Sequence, residues 1–134
     1  MNLTNYLEHR LKLRYDLKLH SKKKNKILLM THLIVGYPSL EDNWRMLEAM
    51  GEADVDLVEM QMPFSEPTAD GPLFVKANQG ALRNGVCWKN YFDLMKRASD
   101  EFNFPILMMG YYNTAFSMGL ENFCKSIKKN GGKG

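Results

Sequence analysis

Two carboxylates, Glu59 and Asp70, have the type and placement that acid–base chemistry requires. Glu59 lies inside the apolar run Val55–Met62, and Asp70 follows that run in a polar loop. Because burying an unpaired charge is costly, a carboxylate in such a run needs a reason to be there. A pair of carboxylates serves acid–base catalysis when different surroundings hold the two in different protonation states. We expect Glu59, enclosed in an apolar strand, to give and take a proton, and Asp70, in a polar loop, to stay ionised.

The loop that carries Asp70 has a backbone set by prolines. Pro63, Pro67 and Pro72 fix the chain at three points, and Gly71 frees it at one. In parallel α/β folds the active site lies at the carboxyl ends of the strands. The sequence therefore predicts a rigid polar loop at the carboxyl end of a buried strand, with one carboxylate in the strand and one after it.

Each carboxylate also has a purely structural interpretation. Glu59 could be a strand carboxylate that pairs with a Lys or Arg side chain. Asp70 precedes Gly71, and Asp-Gly is a common pair in turns. The residue types by themselves leave both alternatives open.

The elements around this loop alternate between helical and strand patterns. Ser39, with Asp42 three residues later, predicts a helix start. The predicted strands are Ile27–Val35, Val55–Met62 and Pro105–Met109. The predicted helices are Thr4–Leu19, Leu40–Met50, Leu73–Arg83, Trp88–Phe102 and Leu120–Lys129. A helix followed by three strand-to-helix units indicates a parallel sheet with right-handed crossovers.

The amino terminus is basic. Residues 1–26 carry eight Lys or Arg against two acidic residues, a net charge of +6, whereas the remainder carries ten against thirteen, a net of −3. We interpret this segment as a helix and linker, because no aromatic residues for base stacking interrupt Lys22–Lys24. Contact with nucleic acid or with a membrane surface is the alternative. Neither is expected here.

Cysteine usage and hydropathy bear on the compartment and on metals. The two cysteines, Cys87 and Cys124, are far apart, and the chain shows neither a signal-peptide pattern nor a membrane-length apolar run. We expect reduced thiols and a cytoplasmic protein. The histidines and cysteines have no metal-ligand spacing, so no metal site is predicted.

The stretch from Glu59 to Pro72 resembles the signature of the tryptophan synthase α chain family, roughly E-L-G-x-P-F-S-D-P-x-A-D-G-P. The matching residues are Glu59, Pro63, Phe64, Ser65, Pro67, Ala69, Asp70, Gly71 and Pro72. The sequence departs from the pattern at Gln61, where Gly is usual, and at Glu66, where Asp is usual. Leu33–Ser39 and Gly110–Asn113 resemble the family's first strand with its loop and the exit loop of its third strand. The resemblance covers about residues 26–134.

This resemblance implies a TIM (β/α)8 barrel, of which the chain supplies an N-terminal helix and the first three βα units. We expect residues 1–134 to form a single domain, the amino-terminal part of a barrel that normally takes about 250 residues. Lys129–Gly134 resembles the turn that would feed a fourth strand. The alternative is a small open α/β domain in its own right.

The resemblance also implies an activity. It is the retro-aldol cleavage of indole-3-glycerol phosphate to indole and glyceraldehyde 3-phosphate, a lyase step of tryptophan biosynthesis. Glu59 matches the family's proton-transfer residue, and Asp70 matches the residue that handles the indole N–H. Tyr111, His32 and Phe64 are expected to line the substrate pocket, although a lone His in an apolar strand is more often a hydrogen-bonded core residue. We expect the chain by itself to be inactive.

The family resemblance further implies a partner, a pyridoxal-phosphate-dependent β chain in an αββα assembly, with no cofactor in this chain. Pro63, Ser65, Glu66 and Pro67 are the predicted partner interface. The alternatives are a non-catalytic binding module that uses this loop to dock a β-type partner, and a product that does not fold.

Overall fold

A computed structural model describes residues 2–10 and 28–134. Its first helix, α1, includes residues 3–10. The other helices are α2 (Leu40–Glu52), α3 (Pro72–Arg83), α4 (Trp88–Glu101), α5 (Tyr112–Met118) and α6 (Leu120–Lys129). The strands β1 (Met30–Ile34), β2 (Leu57–Gln61) and β3 (Ile106–Met109) form one parallel sheet in sequence order. The predicted parallel sheet is therefore confirmed.

Most predicted helices and strands are found within one to three residues of their predicted ends. Ser39 caps α2 as predicted, because its side chain accepts a hydrogen bond from the Asp42 N–H. One prediction was wrong: Tyr112 and Asn113 belong to α5 instead of an exit loop. The seven residues of α5 are too few to display a helical period, and the helix ends at Met118, just before Gly119, whose φ is 81°. Residues 11–19 of the first predicted helix lie outside the described part of the chain.

The hydrophobic core lies on one face of the sheet. Successive strand residues point to opposite faces, and on this face Leu33 and Met60 pack against helices α2 and α4. Tyr91 of α4 is fully buried there, and its hydroxyl donates to the Met60 carbonyl oxygen at 2.8 Å. The core thus fixes the position of β2, the strand that carries Glu59.

An ion pair joins α1 to the start of β2. The Arg10 guanidinium donates to Asp54 at 2.9 Å and to Asp56 at 2.7 Å, and the Asp56 side chain is fully buried. The hydrogen bond to Asp54, reinforced by one to Asp56, raises the pKa of Arg10. One residue of the basic segment therefore neutralises acidic residues of the same chain.

The outer edge of β3 is partly occupied by the last residues of the chain. The Lys133 N–H donates to the Ile106 carbonyl at 2.8 Å, and the Gly134 carbonyl accepts from the Met108 N–H at 2.7 Å. These two bonds follow the pattern of a parallel strand pair. The segment thus pairs where a fourth strand was expected.

Across the described ranges, no helix is long and apolar enough to cross a membrane.

We predict that Tyr91 makes stability depend on alkaline pH. Burial, with a contribution from the charge of Glu59, raises the pKa of Tyr91. The unfolded side chain ionises near pH 10, so its contribution to folding is complete below that pH and is lost as the pH rises further. The free energy of unfolding should fall by up to about 1.4 kcal/mol per pH unit above pH 10 from this residue alone.

Urea unfolding between about pH 9 and pH 11 measures this effect, with Tyr91→Phe as the matched control. The variant lacks the titrating hydroxyl and should show the shallower decline. Equal slopes for the two proteins would contradict the prediction.

Candidate active site

The candidate site lies on the sheet face opposite the core, at the carboxyl ends of β1 and β2. His32 of β1 is in register with Glu59 of β2, and Gln61 is the last residue of β2. Because strand residues alternate, His32, Glu59 and Gln61 share one face. The parallel sheet therefore brings a predicted catalytic residue and a predicted pocket residue together.

The Glu59 carboxylate contacts a polar side chain. Its Oε2 lies 2.8 Å from Nδ1 of His32, and the two side chains are 27% and 24% exposed. The sequence predicted an apolar surrounding for Glu59, and that part of the prediction was wrong. Val58 and Met60, its apolar chain neighbours, point to the opposite face and into the core. The structural interpretation of Glu59 was a pair with Lys or Arg. The structure shows a pair with His32.

Gln61 connects the two predicted catalytic residues. Its Oε1 lies 3.0 Å from Nε2 of His32, and its Nε2 donates to Asp70 Oδ2 at 3.3 Å. The side chain is fully buried. Glu59, His32, Gln61 and Asp70 therefore form one continuous chain of hydrogen-bonded side chains.

Asn78 of α3 holds this chain in place. Its Oδ1 accepts from the Phe64 N–H at 2.9 Å and from Gln61 Nε2 at 3.4 Å. Its Nδ2 donates to the Phe74 carbonyl at 2.9 Å. Asn78 is fully buried, and the structure leaves no buried polar side-chain atom unpartnered in the residues it describes. One asparagine thus ties the loop after β2 to the network.

Aromatic rings flank the network on two sides. Phe64 stacks on Tyr111 with ring centroids 4.8 Å apart, and the Tyr111 hydroxyl accepts from the Ala69 N–H at 3.2 Å. Phe74 meets the His32 ring edge-on at 5.4 Å. All three predicted pocket residues therefore lie at this end of the sheet, next to Asp70 or Glu59.

The four residues predicted to contact a partner divide into two groups. Ser65 and Glu66 are exposed, whereas Pro63 and Pro67 are buried. The prolines shape the loop from within, so only Ser65 and Glu66 of this set present side chains to another molecule.

The loop after β1 is also tightly fixed beside the site. Gly36 has a φ of 89°, and a Cβ there would lie 2.0 Å from Cγ2 of Val86. Its N–H donates to the buried Asn43, whose amide in turn donates to the Tyr37 carbonyl at 2.9 Å. Only glycine fits at position 36, and the end of β1 that carries His32 is held rigidly.

Three contributors were not predicted from the sequence as parts of this site. Gln61 was noted only as a departure from the family pattern, although a polar residue at the buried end of a strand is itself a signal. Asn78 lies within a helical pattern and shows no such signal. Phe74 was assigned only to a helix.

In residues 2–10 and 28–134, no group of three or more His, Cys, Asp or Glu side chains is arranged to hold a metal ion.

Comparisons with known proteins agree on one family. Residues 19–134 match the family model described as tryptophan synthase alpha chain. The chain is 46% identical to the tryptophan synthase alpha chain of Syntrophotalea carbinolica over 105 residues, which is 78% of this chain and 42% of that protein. It is also 46% identical to that of Desulfotalea psychrophila over 117 residues, 87% of this chain and 46% of that protein.

A solved structure gives the same result at the level of the fold. The aminoacrylate-bound tryptophan synthase from M. tuberculosis matches with a TM-score of 0.74 and 26% identity, covering 92% of this chain and 49% of that chain. The predicted TIM barrel class is thereby confirmed, with three parallel strands of the barrel present. This chain spans less than half the length of the curated relatives it matches.

We predict that Asn78→Ala loosens the loop after β2. The substitution leaves the Phe64 N–H and the Gln61 amide without their shared acceptor, and an unsatisfied buried group costs about 1–3 kcal/mol. The free energy of unfolding should fall by about 2–3 kcal/mol, and the Phe64 amide should exchange faster with deuterium.

The matched control for this experiment is Asn113→Ala, at an exposed position of α5. It should change stability by less than about 0.5 kcal/mol. Retained protection of the Phe64 amide in Asn78→Ala would contradict the assigned role.

Proposed function

The chain belongs to the tryptophan synthase alpha chain family, and from this premise we propose that it carries the acid–base residues of a lyase. The reaction is the retro-aldol cleavage of indole-3-glycerol phosphate to indole and glyceraldehyde 3-phosphate. The observation that supports it is the hydrogen-bonded chain from Glu59 through His32 and Gln61 to Asp70. It places two carboxylates at one strand end, where such barrels catalyse.

Glu59 performs the proton transfers in this proposal. The carbon–carbon bond breaks when the indole ring carbon gains a proton and a glycerol hydroxyl loses one. Glu59 gives the first proton and accepts the second, so the enzyme ends as it began. Its partial exposure on the open sheet face leaves it within reach of a substrate.

Asp70 stabilises the positive charge that forms on the indole ring when its carbon is protonated, by accepting a hydrogen bond from the ring N–H. Its position is fixed through Gln61 Nε2 and through the Asp70 N–H, which donates to the Pro67 carbonyl at 3.0 Å. The His32 and Gln61 side chains hold Asp70 and Glu59 apart, so that each carboxylate can contact a different atom of the same planar ring.

Aromatic side chains shape the space where the ring would lie. Phe74 and His32, the histidine that contacts Glu59, line an apolar cavity of about 240 Å³. Phe64 and Tyr111 form a stacked pair next to the Asp70 loop. Flat apolar walls with a few fixed polar groups are typical of small-molecule sites. The substrate phosphate would be bound by loops after the seventh and eighth strands of the complete barrel.

The exposed loop residues Ser65 and Glu66 are proposed to contact a tryptophan synthase β chain in an αββα assembly. Pyridoxal phosphate belongs to that partner in this proposal, and none is assigned to this chain.

The free, exposed thiols of Cys87 and Cys124 support a reducing compartment such as the cytoplasm.

A binding module that docks a β-type partner without catalysis is the second candidate. The observation in its favour is that Ser65 and Glu66 are exposed on a loop whose shape comes from buried prolines, independently of Glu59. In that case, loss of the Glu59 carboxylate would leave the only function, partner binding, intact.

The test supplies the rest of the barrel from a relative. The 117 matched residues of the D. psychrophila alpha chain are replaced by those of this chain, and indole release from indole-3-glycerol phosphate is measured. We predict an active graft whose turnover falls by at least about a hundredfold in Glu59→Gln, which keeps the shape and removes the titrating proton.

The matched control is Glu121→Gln, at an exposed position of α6 that pairs with Lys125. It should leave turnover within about twofold. A folded graft that releases no indole, or a Glu59→Gln graft that keeps its turnover, contradicts the catalytic proposal. If such a graft still binds a tryptophan synthase β chain, the binding module is favoured.

A further inference from the structure

The backbone fixes which way the Asn78 amide points. Its NH₂ group donates to the Phe74 carbonyl, and its oxygen accepts from the Phe64 N–H, both at 2.9 Å. A backbone N–H can only donate and a backbone carbonyl can only accept. A reversed amide would set donor against donor and acceptor against acceptor, so Oδ1 of Asn78 must face Gln61.

The orientation of Gln61 follows from that of Asn78. One end of the Gln61 amide faces two acceptors, Asn78 Oδ1 at 3.4 Å and Asp70 Oδ2 at 3.3 Å. Reversal would bring three oxygen atoms together in a fully buried position. The NH₂ group must therefore face Asp70 and Asn78, and Oε1 must face His32.

The tautomer of His32 follows in turn. Its Nε2 lies 3.0 Å from Gln61 Oε1, which has no proton to donate, so Nε2 must carry a hydrogen. Its Nδ1 lies 2.8 Å from Glu59 Oε2. If neither Nδ1 nor the carboxylate carried a proton, two lone pairs would face each other at that distance. A proton is therefore required between His32 and Glu59 as well.

We propose that the His32–Glu59 pair holds two protons at neutral pH, one on Nε2 and one shared between Nδ1 and Oε2. An ordinary pair of neutral histidine and ionised glutamate holds one. The shared proton is either on an imidazolium beside a carboxylate, or on a carboxylic acid beside a neutral ring. Both forms have the same composition, and in either one a proton lies within reach of the Glu59 carboxylate.

This inference rests on the proposed function in one respect: it supplies the source of the proton that Glu59 gives to the indole carbon. Glu59 gives up the shared proton and regains one from the glycerol hydroxyl, so the pair is restored. His32 is a positioning residue for this proton transfer, because it acts through Glu59 by keeping the shared proton between the two side chains. Two other titratable groups bear on the pair, Asp70 through Gln61, and Tyr91 across the sheet.

One of the two residues that complete this arrangement departs from the family signature. Position 61, which is usually Gly in that signature, is Gln61 here, and its partner is His32. In this chain both are hydrogen-bonding residues, and they contact each other. A Gly at position 61 would remove the acceptor that keeps the hydrogen on Nε2, so the device requires Gln61 and His32 together.

The decisive experiment is NMR spectroscopy of the whole chain near pH 7. Nitrogen-15 shifts and ring-proton couplings of His32 report which ring nitrogens carry hydrogen, and the side-chain carboxyl carbon-13 shift of Glu59 reports its protonation. His32→Phe assigns the ring signals against those of His9 and His20. The expected result is an imidazolium with an ionised Glu59, or a neutral Nε2–H ring with a protonated Glu59. A neutral ring with an ionised Glu59 overturns the proposal.

Two variants test the cause. In Gln61→Met the acceptor for Nε2–H is lost, and His32 should become a neutral Nδ1–H ring beside an ionised Glu59. In Glu59→Gln the shared proton should be lost, leaving a neutral Nε2–H ring. If the ring and carboxyl signals of Gln61→Met match those of the unsubstituted chain, Gln61 does not set the proton count and the argument fails.

This readout does not depend on catalysis. If NMR finds two protons on the pair but the graft releases no indole, the proposed function is contradicted and this inference stands. If the graft is active but NMR finds one proton on the pair, this inference is contradicted and the proposed function stands.

Discussion

Two hydrogen bonds between Asn78 and the backbone are the constraint on which the site depends. One of them ties α3 to Phe64 in the loop after β2, and the other lies within α3. Together they fix the direction of the Asn78 amide, on which that of the Gln61 amide depends. Gln61, His32 and Glu59 each have an ambiguous hydrogen-bonding role when considered alone. Once Asn78 is fixed, the direction of the Gln61 amide and the hydrogen on Nε2 of His32 follow from it. A buried polar network of this kind is stable only when each member is satisfied, and here each one is.

The sheet supplies the second requirement, which is placement. Parallel register sets His32 opposite Glu59, and the alternation of β2 sends Met60 into the core while Glu59 and Gln61 face the other side. The core behind the sheet is therefore what holds the site in front of it. Tyr91 links the two, because its hydroxyl is bound to the carbonyl of Met60, the residue between Glu59 and Gln61.

Sequence reasoning predicted the elements well where a period extends over many residues, as in α4, and poorly where it does not, as in α5. It proposed Glu59 and Asp70 as candidates because a carboxylate in an apolar run, followed by a proline-set loop, is conspicuous. It misjudged the surroundings of Glu59, since strand pairing between distant segments places His32 there and no local pattern encodes that contact. Asn78 was missed because a buried asparagine in a helix looks like an exposed one until the packing is known.

The central claim is that the Gln61 amide is held in one direction, and nuclear Overhauser effects from its NH₂ protons test this most directly. With the NH₂ group facing Asp70 and Asn78, the account predicts contacts to the Asp70 β-protons and the Phe64 amide proton. It predicts weak or no contacts to the carbon-bound ring protons of His32, which flank Nε2. Strong contacts from the Gln61 NH₂ protons to those ring protons would show the reverse orientation and contradict the account.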